Sequence, residues 1–230
     1  MKIRNPFVNL TKFEWLLWIC SVVVVSASFV LAGEFYWLTL IASLVGVTAL
    51  IFLAKGNVTG QILTVVFSIL YGIISYQFHY YGEMITYLGM TMPIAVLSIY
   101  TWLKHPYQDS DEVEVNQLNR RQIIGVIVLT IVVTFSFYFV LKVFDTANLI
   151  MSTVSIAISF SASYLQVLRS PFYALAYAAN DIVLIILWIM ASIESISYLP
   201  MVICFALFLV NDIYGYVSWQ RMCTCQGAEG

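Results

Sequence analysis

Residues 172–193 read FYALAYAANDIVLIILWIMASI, an apolar run broken near its middle by the neighbouring polar side chains Asn180 and Asp181. An apolar run of about 20 residues crosses the roughly 30 Å hydrocarbon core of a bilayer as one α-helix. Seven more runs of this kind lie at 15–32, 36–54, 62–78, 84–103, 122–144, 149–168 and 198–220. Hydrophobic residues fill 62% of the 230 positions and charged residues 10%, too little polar surface to coat a soluble globule of this size. The fold class follows: an all-α membrane protein of eight transmembrane helices, with the lipid bilayer as its solvent.

The connections are too short to hold a soluble catalytic domain. The longest, 104–121, carries Asp109, Asp111, Glu112 and Glu114 and reads as a solvated linker. The first run is long enough to span, and Gly33-Glu34-Phe35 is a poor cleavage sequence, so 15–32 reads as a retained helix and not a signal peptide. There is no GxxxxGK[ST] run for nucleotide phosphates and no HExxH; His79 and His105 lie at helix ends. Cys20 and Cys204 lie inside spans, and Cys223 and Cys225 form a lone CxC pair in the tail, which does not make a metal site. No cofactor, metal ion, catalytic residue or nucleic-acid partner is expected.

Alternating the spans gathers Lys2, Arg4, Lys12, Lys55, Lys104, Arg120, Arg121, Arg169 and Arg221 on one side and leaves Lys142 on the other. Basic residues in short loops are retained in the cytoplasm, so both termini are expected there, in a bacterial inner membrane. Glu34, Glu83, Asp145 and Glu194 then fall in the outer loops.

Two triplets of spans, in 36–103 and 145–221, flank a linker unit, 104–144, that holds one helix; an extra N-terminal segment and helix occupy 1–35, and 222–230 is a short cytoplasmic tail. Thr101-Trp102-Leu103-Lys104 closes the first triplet as Ser218-Trp219-Gln220-Arg221 closes the second, and Lys55 and Arg169 occupy the same loop of each. With one helix between them, the triplets enter the membrane in the same direction. This three-plus-one-plus-three layout makes them parallel repeats about an axis along the membrane normal, an arrangement in which transporters place their binding site between the halves. The N-terminal helix stands outside the scheme, at the periphery or in an oligomer contact.

An ionisable group at membrane depth is a functional candidate, because an unpaired charge in hydrocarbon costs roughly 3 kcal/mol or more. Asp181 and Asp212 are two such groups, and neither has a cation in its own helix. At 100° per residue Tyr173, Tyr177, Asn180, Asp181, Leu184 and Trp188 share one quadrant of their helix. On the last helix Cys204, Phe208, Asn211, Gly215, Ser218 and Trp219 share a face, with Asp212 and Tyr214 at its margins. Gln61, Thr64, Ser68, Tyr71, Gly72 and Ser75 line one side of the third span. Rings beside amides suit a flat heteroaromatic cargo with a polar sugar, and a positively charged ring would gain from both Trp and carboxylate. Helix packing through small polar residues is the plainer account of the same stripes. An intramembrane hydrolase using paired Asp181 and Asp212 would need a YD or GxGD context that neither residue has; a structural membrane subunit would bind no ligand.

The Lys55-Gly56-Asn57 turn before a Tyr71-bearing helix, the close of each half in Trp, Ala179-Asn180-Asp181, and Phe208-Leu209-Val210-Asn211-Asp212-Ile213-Tyr214-Gly215 together resemble the PnuC family of vitamin and nucleoside transporters. The likeness runs from about Tyr36 onward and is densest in 53–106 and 169–221. It implies uptake of nicotinamide riboside, an NAD precursor, by facilitated diffusion, with trapping after a cytosolic kinase phosphorylates it; relatives carry thiamine, riboflavin or deoxynucleosides. It also implies a homo-oligomer, a trimer, and a central substrate site at Trp188, Asn180, Asn211 and Tyr214 with Tyr71 and Gln61. Tyr177, Asp181 and Asp212 join that list from the polar stripes.

Overall fold

Backbone N–H and C=O groups have no water to pair with in hydrocarbon, so a spanning segment must satisfy them within itself, and a helix does so. The computed structural model describes residues 6–31, 37–77, 81–108, 110–146, 148–194 and 198–228, so Lys2, Arg4, Glu34, His79 and Asp109 lie outside the described residues. After a 3-10 turn, Pro6–Asn9, the chain forms α1 (Lys12–Leu31), α2 (Trp37–Ala54), α3 (Val58–Gln77), α4 (Tyr81–Thr86), α5 (Met92–Lys104), α6 (Arg120–Val143), α7 (Leu149–Val167), α8 (Phe172–Glu194) and α9 (Leu199–Ala228). Among the described residues eight helical spans are long and apolar enough to cross a membrane, α4 and α5 acting as one span over Gly82–Lys104.

Within that span the helix widens into a π turn, Tyr87–Thr91, where the Met92 N–H bonds back to the Tyr87 carbonyl. The sequence supplies a cause: Pro93 has no N–H to donate back to Gly89, and the ladder loosens one turn before it. Two boundaries depart from the sequence expectation. Glu83, expected in an outer loop, lies inside the span; the expected tail 222–230 continues α9 as helix to Ala228.

The basic end of the bundle is built twice from one pattern. At the end of α2 the Gly56 N–H bonds to the Leu53 carbonyl and the Asn57 N–H to that of Phe52; at the end of α7 Arg169 bonds to Gln166 and Ser170 to Leu165 in the same i−3 and i−5 geometry. Both are Schellman closures, which need a left-handed residue after the helix. Gly56 (φ 63°) and Arg169 (φ 59°) fill that role. The structure therefore matches Arg169 with Gly56, one residue on from Lys55. Across the bundle, Trp102 Nε1 donates to the Gln166 carbonyl (3.0 Å) and Trp219 Nε1 to the Leu53 carbonyl (2.8 Å), so each triplet's last helix caps the other triplet's first. The two indoles meet with centroids 5.5 Å apart.

The linker expected to be solvated is instead a strap across this end. The Val113 N–H bonds to the Gly56 carbonyl and the Asn116 N–H to that of Arg169, both at 3.0 Å. Val113 is fully buried, and Gln226 from the extended α9 grips the strap through the Val113 carbonyl and the Val115 N–H. Asn119 and Gln122 then form a capping box that starts α6.

The N-terminal helix packs on α2 and α9. Thr11 and Glu14 cap it reciprocally, and the same Glu14 carboxylate accepts from Tyr214 (2.7 Å) and pairs with Lys55 (3.7 Å), which explains how a charged side chain only 2% exposed is tolerated. Trp18 Nε1 donates to Thr48 Oγ1 (3.0 Å), and Asn211 Nδ2 donates to Ser21 Oγ (3.1 Å).

Candidate functional site

Helices α2, α3, α4, α7, α8 and α9, with the π turn and Leu141 of α6, line one cavity between them. Its wall runs from Gly82 and Thr146, at the end away from the basic residues, to Leu53 and Gln166 at the basic end. There the buried Trp102, Trp219, Tyr173 and Val113 close it.

One wall is a polar stripe on α7. Ser152, Ser155, Ser159 and Gln166 are spaced by three, four and seven residues, one face of a helix. Two α7 hydroxyls orient α8: Ser155 Oγ of this stripe donates to Asn180 Oδ1 (2.9 Å), and Ser163 Oγ, beside it, pairs with the Tyr177 hydroxyl (2.7 Å). With its oxygen engaged by Ser155, Asn180 offers its amide N–H groups to a ligand. The Nε2 of Gln166, a residue 2% exposed, has no hydrogen-bond partner among the described residues.

The carboxyls of Asp181 and Asp212, 4% and 5% exposed, sit within hydrogen-bonding reach of each other on the cavity wall. Asp181 Oδ2 has no hydrogen-bond partner among the described residues. No Lys, Arg or His is among the wall residues. An aromatic set shares the lining with the carboxyls: Phe67 meets Tyr87 edge-on at 5.8 Å and Phe208 at 6.0 Å. Gly46 makes room for it, since a Cβ there would lie 2.6 Å from the Phe208 ring.

Of the residues singled out from sequence, Asn180, Asp181, Asp212 and Tyr177 are brought together on this wall. The others stand elsewhere. Tyr71 is buried behind Tyr87 (centroids 4.4 Å apart) and Glu83. Gln61 lies one turn toward the basic end from the wall residue Thr64, fully buried, both amide atoms unpartnered among the described residues. Trp188 packs 5.7 Å from Tyr198, two turns beyond Asp181. Asn211 and Tyr214 face α1, where they bond Ser21 and Glu14.

The α7 stripe, Glu83 and Tyr87 were missed from sequence. The serine spacing was a usable signal; Glu83 and Tyr87 were hidden by a span boundary drawn after Glu83 and by the unforeseen π turn.

The sequence pattern of the nicotinamide mononucleotide transporter family matches residues 36–221. A nicotinamide riboside transporter PnuC from Neisseria mucosa is 25% identical over 224 residues, covering 95% of this chain and 85% of that protein. A protein of the same name from Haemophilus influenzae is 22% identical over 224 residues, covering 96% of each. The crystal structure of the vitamin B3 transporter PnuC superposes with a TM-score of 0.81 at 25% identity, over 95% of this chain and 94% of that one.

Proposed function

The chain belongs to the nicotinamide mononucleotide transporter family, and from that premise we propose that it takes up nicotinamide riboside as a membrane transporter with no catalytic step of its own. The observation that carries this choice of cargo is the composition of one wall: ring-stacking Phe67 and Tyr87, hydrogen-bonding Asn180 and the α7 serines, and the Asp181–Asp212 pair. Nicotinamide riboside offers the complementary parts, a flat positively charged ring, an amide and ribose hydroxyls. The names of the two relatives support the same cargo.

In this reading the triplets in 36–103 and 145–221 are repeat units, and 104–144 is the linker between them. The matched closures at Gly56 and Arg169 and the crossed indole bonds support that symmetry. The halves rock about the cavity so that it opens to one side and then the other, and a cytosolic kinase traps the cargo after entry. The basic end is cytoplasmic, by the charge bias of the short loops. The exposed apolar face of α6, with Ile124, Ile131 and Phe135, suits lipid or a second copy within the homotrimer that the resemblance implies.

Uptake of labelled nicotinamide riboside into proteoliposomes tests this. Equilibration to equal concentrations without ATP or an ion gradient, competed by unlabelled nicotinamide riboside and not by thiamine, riboflavin or thymidine, is the expected result. Competition by one of the others would reassign the cargo, and accumulation that requires a proton gradient would replace facilitated diffusion with a driven step.

A further inference from the structure

An ionised carboxylate accepts hydrogen bonds and cannot donate one. Two carboxyls within hydrogen-bonding reach on a buried wall therefore need at least one proton between them, and together they carry no more than one negative charge. Asp181 and Asp212 meet those conditions, on neighbouring turns of α8 and α9. The groups facing them are Tyr173 and Tyr177 from α8, Cys204 from α9, and Glu83 and Tyr87 from the fourth span; α2, α3 and α7 contribute to this wall Gly, Ala, Leu, Ile, Phe, Thr, Ser and Gln. No cation balances the pair from any of these elements. An independent sign that a ligand belongs here is Gln166, a buried amide on the same wall whose Nε2 has no partner among the described residues.

We infer that Asp181 and Asp212 act as one singly charged unit that selects the charge of the cargo, neutralising a single positive ring and discriminating against an uncharged ring of the same shape. This deepens the function proposed above and rests on it. The unit matches a monocation charge for charge, so the loaded site is neutral and avoids burying a net charge in hydrocarbon. A reduced dihydropyridine cargo would leave the negative charge unbalanced. A consequence separates a shared unit from two independent carboxylates. An Asn amide in place of either Asp can donate to the remaining carboxylate as the shared proton did, so each single exchange preserves one negative charge and the double exchange removes it.

The test is the ratio of affinities for nicotinamide riboside and for its neutral reduced form, dihydronicotinamide riboside, on wild type, Asp181→Asn, Asp212→Asn and the double variant. Both ligands are titrated into the same preparation, so partial loss of folded protein cancels in the ratio. The expected result is a preference for the cation of more than about tenfold in wild type, kept in both single variants and lost in the double. Equal binding of the two ligands by wild type, loss of the preference in either single variant, or its survival in the double variant would overturn the inference and leave the transport of nicotinamide riboside standing. No binding of either ligand by wild type would overturn the proposed cargo and the inference together.

Discussion

The two triplets are closed alike and lined unlike. At the basic end they share Schellman turns, crossed indole bonds and a strap that bonds to Gly56 on one side and Arg169 on the other. Carrying the register of those turns up the helices sets Leu53 against Gln166, Gly46 against Ser159, Thr64 against Tyr177 and Phe67 against Asn180, and all eight line the cavity. In three of these four pairs the second triplet presents the more polar group, Gln166, Ser159 or Asn180, and it alone supplies both aspartates. A shared scaffold fixes where the wall is, and the two halves divide its chemistry. The first supplies Phe67, Tyr87 and one carboxyl, Glu83; the second supplies both aspartates, Asn180 and the α7 serines, with Phe205 and Phe208.

The largest expected effect breaks or upholds that division at one matched pair. Asn180→Leu deletes a polar partner of the cargo without adding bulk, and losing a hydrogen bond while leaving a ligand group unpaired costs about 1–3 kcal/mol. That is roughly a 5- to 150-fold loss of affinity. Phe67→Leu removes one stacking ring, worth about 0.5–1.5 kcal/mol, and should weaken binding by roughly tenfold or less. Titration of nicotinamide riboside into both variants checks the order. A greater loss at Phe67 would move recognition into the first triplet.

The closures predict the opposite pattern, near equality. Trp102→Phe and Trp219→Phe each remove one buried indole bond, about 1 kcal/mol, and each carbonyl keeps its Schellman partner. The Leu53 carbonyl has a further donor, the Tyr173 hydroxyl at 3.2 Å, so Trp219→Phe should be slightly the milder. Thermal unfolding in detergent measures both. A large destabilisation confined to one variant would mean that the two ends are not equivalent supports.

The sequence made the spans legible because apolar runs have few other uses, and it made the halves legible because Trp102 and Trp219 close them at matching places. It showed less about which way a polar face points. Asn211 and Asp212 are neighbours, yet 100° of helix rotation sends Asn211 to Ser21 of α1 and Asp212 to the cavity. Both residues suit either destination, and what decides is the position of α1, a helix that the repeat pattern does not include. The strap was illegible for another reason. Its polar side chains read as solvated, while its attachment runs through backbone N–H groups at Val113 and Asn116, which any residue type provides.

That strap yields the smallest effect and the finest test of likeness between the two closures. Glu112 lies beside its Gly56 seat, in an isolated bridge with Asn57. Burial pushes its carboxyl above the ordinary carboxylate range; Lys55 pulls the other way, and Glu14 and Asp111 add to the rise. A carboxyl raised in the seated strap holds its proton where the released strap has lost it, so the seat is firmest below the ordinary value and loosens as pH rises through the raised one. Amide exchange, corrected for its intrinsic pH dependence, should therefore show the Val113 N–H better protected at about pH 4 than at about pH 7. The Asn116 N–H, on the Arg169 side, should change less, and Glu112→Gln should flatten the response at Val113. Equal changes at both amides would mean that the strap lifts as one piece, and that the two closures are coupled through it.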